Sequence, residues 1–264
     1  MPNHPTAVIH EATRIPDDVT IGAYAVVEDG VEIGSGSIIR EHAIIRSGTI
    51  LGQRCIVDAH AVIGGLPQDF SFNPATPSGV RIGDNVTIRE GVTINRATFE
   101  GQFTEVGDGC MLMANSHLGH DCKVGRNVIL ANNVMLAGKV SVGEFTFIGG
   151  GAGIHQFCRI GQSAMVSGLS RVSQDIPPFC MMAERNELIG LNLVGLRRRG
   201  IEREAIKELK KLYHLVYSVE GRPKVLAEGA LKDDLAKSDI GRQFLEFMTG
   251  ESSKGVMRPR KEGQ

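Results

Sequence analysis

The chain of 264 residues contains no tryptophan, and aromatic residues make up only 5% of it. Without large rings a wide core is hard to fill, so a narrow interior lined by aliphatic and small side chains is expected. No apolar run reaches the roughly 18 residues that a membrane helix needs, so no membrane span is expected. The opening MPNHPTAVIH has no basic segment followed by an apolar stretch. A secretory leader is therefore not expected, and the cytoplasm is the default location. Charge of one sign is also missing: 29 Lys and Arg stand against 30 Asp and Glu, for a net charge of −1. That balance offers no electrostatic case for nucleic acid.

What the chain has instead is 33 glycines and a period of six. An aliphatic residue occupies every sixth position from Ile9 to Ile63, and again from Val106 to Val172. Ile82, Ile88 and Ile94 keep the same step between the two runs after one register shift. This period fits neither a helix nor a hairpin meander and identifies a hexapeptide-repeat parallel β-helix. Three hexads form one triangular coil of 18 residues. Coils stack about 4.8 Å apart, so the run spans roughly eight coils and about 40 Å.

The repeat also interprets the cysteines. Cys55, Cys110, Cys122 and Cys158 lie two residues before a repeat aliphatic, a slot filled elsewhere by Ala25, Ala43, Ala61 and Ala152. They are expected to be interior packing residues, not ligands or redox thiols. Glycines follow the aliphatic at Gly22, Gly34, Gly107 and Gly143, among others, and are expected to serve tight turns at positive φ.

Two stretches break the period, residues 64–81 and 95–105, and both are expected to bulge out as loops. After Val172 come Pro177 and Pro178, and from Asn186 the pattern is read as helical. Ile206, Leu209, Tyr213 and Val216 share one helical face, and Phe244, Leu245, Phe247 and Met248 mark a last short helix. The tail SSKGVMRPRKEGQ is expected to be loose. The organisation expected is a β-helix over 1–183 and a helical cap over 184–264.

Chemistry concentrates in Asn115-Ser-His117-Leu-Gly-His120-Asp121-Cys122. Gly138 and Lys139 follow His120 and Asp121 by one coil of 18, and His155 comes almost two coils after His120. A three-sided solenoid stacks these positions along one edge within about 10 Å. A neutral imidazole there is suited to taking a proton from a hydroxyl or amine, with Asp121 fixing its tautomer. From spacing alone His120 could equally be a solvated bystander. Zinc held by His117, His120 and His155 is a further reading.

The repeat, NSHLGHDC at 115–122, LANN at 130–133, IHQFCRIG at 154–161 and LNLVGLRRRG at 191–200 together resemble the UDP-N-acetylglucosamine O-acyltransferases of lipid A biosynthesis. The resemblance covers essentially the whole chain. It implies a left-handed parallel β-helix with a C-terminal helical domain, assembled as a homotrimer with active sites between subunits. It implies transfer of a 3-hydroxyacyl chain from acyl carrier protein to the glucosamine 3-position of a UDP-sugar. No cofactor is implied, since the donor rides on the phosphopantetheine of its carrier.

By that resemblance His120 is the general base, Asp121 its orienting partner and Gly138 the N–H donor to the oxyanion. Gln68 and Asp69 match sugar-contacting loop positions, and His117, His155 and Gln156 match other active-site positions. Asn192, Arg198 and Arg199 match nucleotide and acyl-end contacts, and Gly168 the position limiting acyl length. The family often has Lys where Ser71 stands and His where Lys139 stands, which moves a positive charge toward the substrate-binding Lys139. Arg197 to Arg199, with Arg203, Lys207, Lys210 and Lys211, suggest a basic surface for the acidic carrier. The competing readings are a 3-amino UDP-sugar as acceptor, a zinc hydratase of γ-carbonic-anhydrase type, and a non-catalytic paralogue.

Overall fold

The computed structural model describes residues 3–11 and 13–259. Strands of two residues recur every six, each an outward side chain followed by a buried aliphatic, as in His117–Leu118 and Met135–Leu136. Among the described residues they stack into three faces, a first of nine strands, a second of seven and a third of ten, all parallel except the last strand of the third. Vertical partners lie one coil apart, so Leu118, Leu136, Ile154 and Val172 form one buried column on the first face. Each inward residue thus contacts its own kind above and below, and the narrow core is completed without tryptophan. All five cysteines are free and buried, in agreement with the packing role inferred for four of them. Burial pushes the Cys122 thiol up to about 12.

The following glycines work differently from the expectation. Positive φ falls two residues later, at corner positions such as Asp121, Lys139 and Phe157, whereas Gly107 and Gly143 are not left-handed. Their requirement is steric. A Cβ at Gly143 would stand 2.3 Å from the backbone nitrogen of Gln162 in the next coil. Close stacking of coils at the corner, not turn conformation, excludes a side chain there.

The two interruptions are shorter than the broken period suggests. Strand pairing continues to Gly65 and resumes at Gly79, and it continues to Asn95 and resumes at Phe103. The excursions are therefore 66–78 and 96–102. Ile94, paired with Ile63 below and Leu118 above, keeps the core continuous past both.

Helix begins later than the sequence pattern indicates. Cys180–Ala183 adds to the third face and pairs antiparallel with Glu187–Leu191, so a hairpin occupies the stretch read as helical from Asn186. Four helices follow among the described residues: α1 (Leu193–Arg198), α2 (Arg203–Ser218), α3 (Pro223–Lys232) and α4 (Asp239–Thr249). On α2 the buried line is Ile206, Leu209, Leu212 and Val216, with Tyr213 packed at its margin. The tail is docked as far as it is described. Asp175 N–H donates to Gly255 O at 2.9 Å, Met257 N–H donates to Asp175 O at 2.8 Å, and Met257 is buried. Residues 260–264 of that stretch lie outside the described residues. No helix among the described residues is long and apolar enough to cross a membrane.

Candidate active site

The corner between the first and second faces carries the chemistry. His117 points outward from its strand, and three residues later the chain turns at His120 and Asp121, where Asp121 adopts φ 60°. That turn presents the imidazole of His120 to the next coil at Gly138. A Cβ on Gly138 would lie 2.5 Å from His120 Nε2, so only glycine admits the ring in this position. The Gly138 N–H has no hydrogen-bond partner among the described residues, whereas the Lys139 N–H beside it donates to His120 O at 2.9 Å. A base nitrogen and an uncommitted amide donor therefore adjoin.

Asp121 orients the ring. Its Oδ2 lies 2.8 Å from His120 Nδ1 and accepts from the Thr98 hydroxyl at 2.6 Å, while Oδ1 accepts from the Thr98 N–H at 2.9 Å. Burial alone would raise the Asp121 pKa, but the Thr98 hydroxyl, His120 and the Thr98 N–H together hold it below the usual carboxylate range. An ionised Asp121 fixes the proton on Nδ1 and leaves Nε2 as the acceptor. Thr98 belongs to the 96–102 excursion, so that break in the period is part of the site. His117 Nδ1 lies 2.7 Å from the Thr93 hydroxyl, and burial lowers its pKa, which keeps it neutral.

A cleft of about 740 Å³ runs from this corner up the first face, lined among others by Gln68, His117, His120, Gly138, His155 and Gln156. A second cleft of about 420 Å³ shares Gln68, His120, Gly138 and Gln156 and adds Asp69, Ser71 and Lys139. Nine of the thirteen sequence-derived site residues thus converge, Asp121 through its bond to His120. The Asp69 carboxylate accepts from both the hydroxyl and the N–H of Ser71, which hold its pKa down. Lys139 Nζ stands 4.9 Å from the Phe99 ring centre and 5.4 Å from that of Phe157.

The structure does not bring together His117, His120 and His155 as a ligand set. Two of their Nδ1 atoms are taken by Thr93 and Asp121, and no cluster of three metal-ligating side chains occurs among the described residues.

The other four expected residues lie elsewhere. Gly168 sits at the corner between the third and first faces, stacked on Gly149 and Gly150. Asn192 is buried at the start of α1, where Oδ1 accepts from Gly195 N–H and Nδ2 donates to Ser163 O, each at 3.0 Å. Its amide is committed to capping the helix on the corner between the second and third faces. Arg199 stacks on Phe145 at that same corner, 3.8 Å from the ring centre, and hydrogen-bonds the Ser163 hydroxyl. Arg198 is exposed beside it.

Four cleft residues escaped the sequence reading. Met135 and Arg171 are one and three coils above His117 in the same outward column, and the step of 18 could have found them. Arg185 bridges to Arg171 through the hairpin, which had no sequence signal. Asn95 is 8% exposed, donates from Nδ2 to Leu66 O at 2.8 Å, and has no partner for Oδ1. It ties the start of the 66–78 loop to the cleft wall.

The chain is similar to known proteins over most of its length. A family model described as UDP N-acetylglucosamine O-acyltransferase, domain 2, matches residues 175–257, and the bacterial transferase hexapeptide model matches 12–47 and 103–138. An acyl-[acyl-carrier-protein]–UDP-N-acetylglucosamine O-acyltransferase of Campylobacter jejuni strain RM1221 is 46% identical over 96% of this chain and 95% of its own. One from Campylobacter concisus is 44% identical over 81% and 82%. Among solved structures, the UDP-N-acetylglucosamine acyltransferase of Campylobacter jejuni superposes with TM-score 0.91 at 39% identity, covering 98% of this chain and all of that one. The Francisella novicida enzyme gives 0.93 at 33% identity, covering 98% and 95%. The solenoid is accordingly the left-handed parallel β-helix with C-terminal helices.

Proposed function

Because the chain belongs to the UDP-N-acetylglucosamine O-acyltransferase family, we propose that it transfers a 3-hydroxyacyl group from acyl carrier protein to the 3-hydroxyl of UDP-N-acetylglucosamine, the first step of lipid A biosynthesis. The observation that carries the reading is His120 Nε2 set against Gly138, with Asp121 at 2.8 Å behind the ring. Nε2 removes the proton of the sugar hydroxyl as its oxygen attacks the thioester carbonyl. The oxyanion forms beside the Gly138 N–H, whose charge stabilisation needs no reorganisation. Collapse breaks the C–S bond, and the imidazolium returns its proton to the departing phosphopantetheine thiolate. Asp121 stabilises the imidazolium in between.

Gln68, Asp69, His117, His155 and Gln156 surround the space that the sugar would fill. Lys139, held by two rings at the edge of the second cleft, supplies the cation for the diphosphate where Ser71 is neutral. Asn192, Arg198, Arg199 and Gly168 occupy two other corners of the prism, too far around it to reach a ligand at His120 in the same chain. A homotrimer with parallel axes brings those corners against a neighbouring chain's cleft, so the complete site lies between subunits. The basic residues of α1 and α2 dock the acidic carrier protein. The enzyme works in the cytoplasm, and its donor's phosphopantetheine takes the place of a cofactor.

The test is a mass-spectrometric assay of the purified protein with hydroxyacyl carrier protein and either UDP-N-acetylglucosamine or its 3-amino analogue. The ester product from the hydroxyl sugar is expected. Amide formation alone, or no transfer to either sugar, would overturn the reading.

A further inference from the structure

The corner between the third and first faces carries a ladder of rings that acyl transfer does not use. Tyr24, His42 and His60 stand one coil apart there, and their rings stack at 5.2 and 5.0 Å with planes 12° and 6° apart. Separations this close to the strand spacing of about 4.8 Å mean that the stack runs along the solenoid and leaves the ring edges free to the side. Both histidines are exposed, and neither imidazole has a hydrogen-bond or ion-pair partner among the described residues. The charges around them are unequal. Arg40 and Arg89 pair with Asp58 and Glu90, whereas Glu41, next to His42, has no ion pair among the described residues. That uncompensated carboxylate favours a cation over an anion at this corner.

Assembly would turn this corner inward. In a homotrimer that sets the first–second corner at His120 against a neighbour's second–third corner at Arg199, the remaining corner faces the threefold axis. The outward side chains agree with that placement. Val26 and Ile44 on the first face and Ile38 and Ile56 on the third are half-buried aliphatics, whereas the second face presents Glu105 and Lys123. Two apolar faces therefore meet at the ladder, and the charged one is left to solvent. Leu169, in the same corner column, is 82% exposed in a single chain and would be covered by its own copies. We infer that three copies of His42 and three of His60 form rings around the axis that hold a divalent transition-metal ion such as zinc, an inference that rests on the homotrimer proposed above. One chain is not enough, since no three metal-ligating side chains cluster among its described residues. Each ring of three imidazoles leaves the last place of the zinc tetrahedron to water or Glu41. The ion would tie the chains together at their first coils, with no part in the transfer.

The experiment uses the tag-free full chain, stripped with EDTA and titrated with Zn2+ by calorimetry, with sedimentation velocity run on the same samples. The wild type is expected to bind about one or two ions per three chains and to melt at a higher temperature with zinc than without. The double variant His42→Asn/His60→Asn places in this column the residue that already fills it at Asn115 and Asn133, so the corner is retained. It should lose both zinc effects and keep wild-type kcat/KM. An intact trimer that takes up no zinc would overturn the inference and leave the trimeric reading standing. Zinc binding kept by the double variant would also overturn it, as would uptake of one ion per chain, which a site within a single chain gives. A protein that sediments as a monomer with and without zinc would overturn the trimeric reading, and the axial site with it.

Discussion

At the residue scale the site is a sequence of constraints around one imidazole. Gly138 makes room for it, Asp121 fixes its tautomer, and Thr98 keeps Asp121 ionised. Asp121→Asn keeps the shape but removes the charge behind the ring. It should lower kcat by roughly 10²-fold or more, with the melting temperature close to wild type. Equal loss of kcat and thermal stability would make Asp121 a packing residue instead. His117 provides a pH signature of folding. Burial lowers its folded pKa, so the unfolded chain takes the proton first as pH falls below about 6.5. Stability tied to His117 is therefore complete above that pH and declines below it until the folded pKa is reached. Urea unfolding of wild type and His117→Gln at pH 7.5 and 5.5 should show the gap between them narrowing in acid, and a widening gap would contradict the stated shift.

At the element scale the coil is a unit whose tolerance varies sharply with position. Gly143→Ala pushes a methyl into the Gln162 backbone and should cost about 1–3 kcal/mol, seen as a drop of several degrees in Tm. Gly229→Ala, inside α3 with open space around it, should raise stability by about 0.5–1 kcal/mol. Equal effects of the two substitutions on Tm would refute the steric account of the corner glycines. The 66–78 loop is held from the solenoid by Asn95 on Leu66 O and by Arg96 on Pro74 O. Losing the Asn95 bond in Asn95→Ala should loosen the loop that carries Gln68 and Asp69, raising the acceptor's KM about tenfold and leaving the donor's unchanged. These elements also mark where sequence reading stops. The inward slots of Leu118 or Cys122 were legible because a strand's side-chain alternation is fixed by covalent geometry. The hairpin at Cys180–Leu191 and the docked tail at Met257 were not, because they depend on partners such as Asp175 that are distant in the chain.

At the scale of the whole molecule, the six-residue period acts as a coordinate system. Its spacing alone puts His120, Gly138 and His155 on one edge, and that part of the site follows directly from it. It could not place Asn192, Arg199 or Gly168 relative to them, because that depends on how one prism meets the next. With His120 and Arg199 on different corners, the trimeric reading makes a sharp prediction. Mixed trimers of His120→Ala and Arg199→Ala chains should recover a fraction of wild-type activity that neither variant shows alone, whereas a site confined to one chain would recover none. The central claim is still that His120 removes the acceptor's proton, and its most direct measure is single-turnover ester formation by purified His120→Ala. A rate lowered roughly 10²–10⁴-fold, with wild-type melting temperature and UDP-N-acetylglucosamine binding retained, is the result expected. Near-wild-type ester formation by that variant would contradict it.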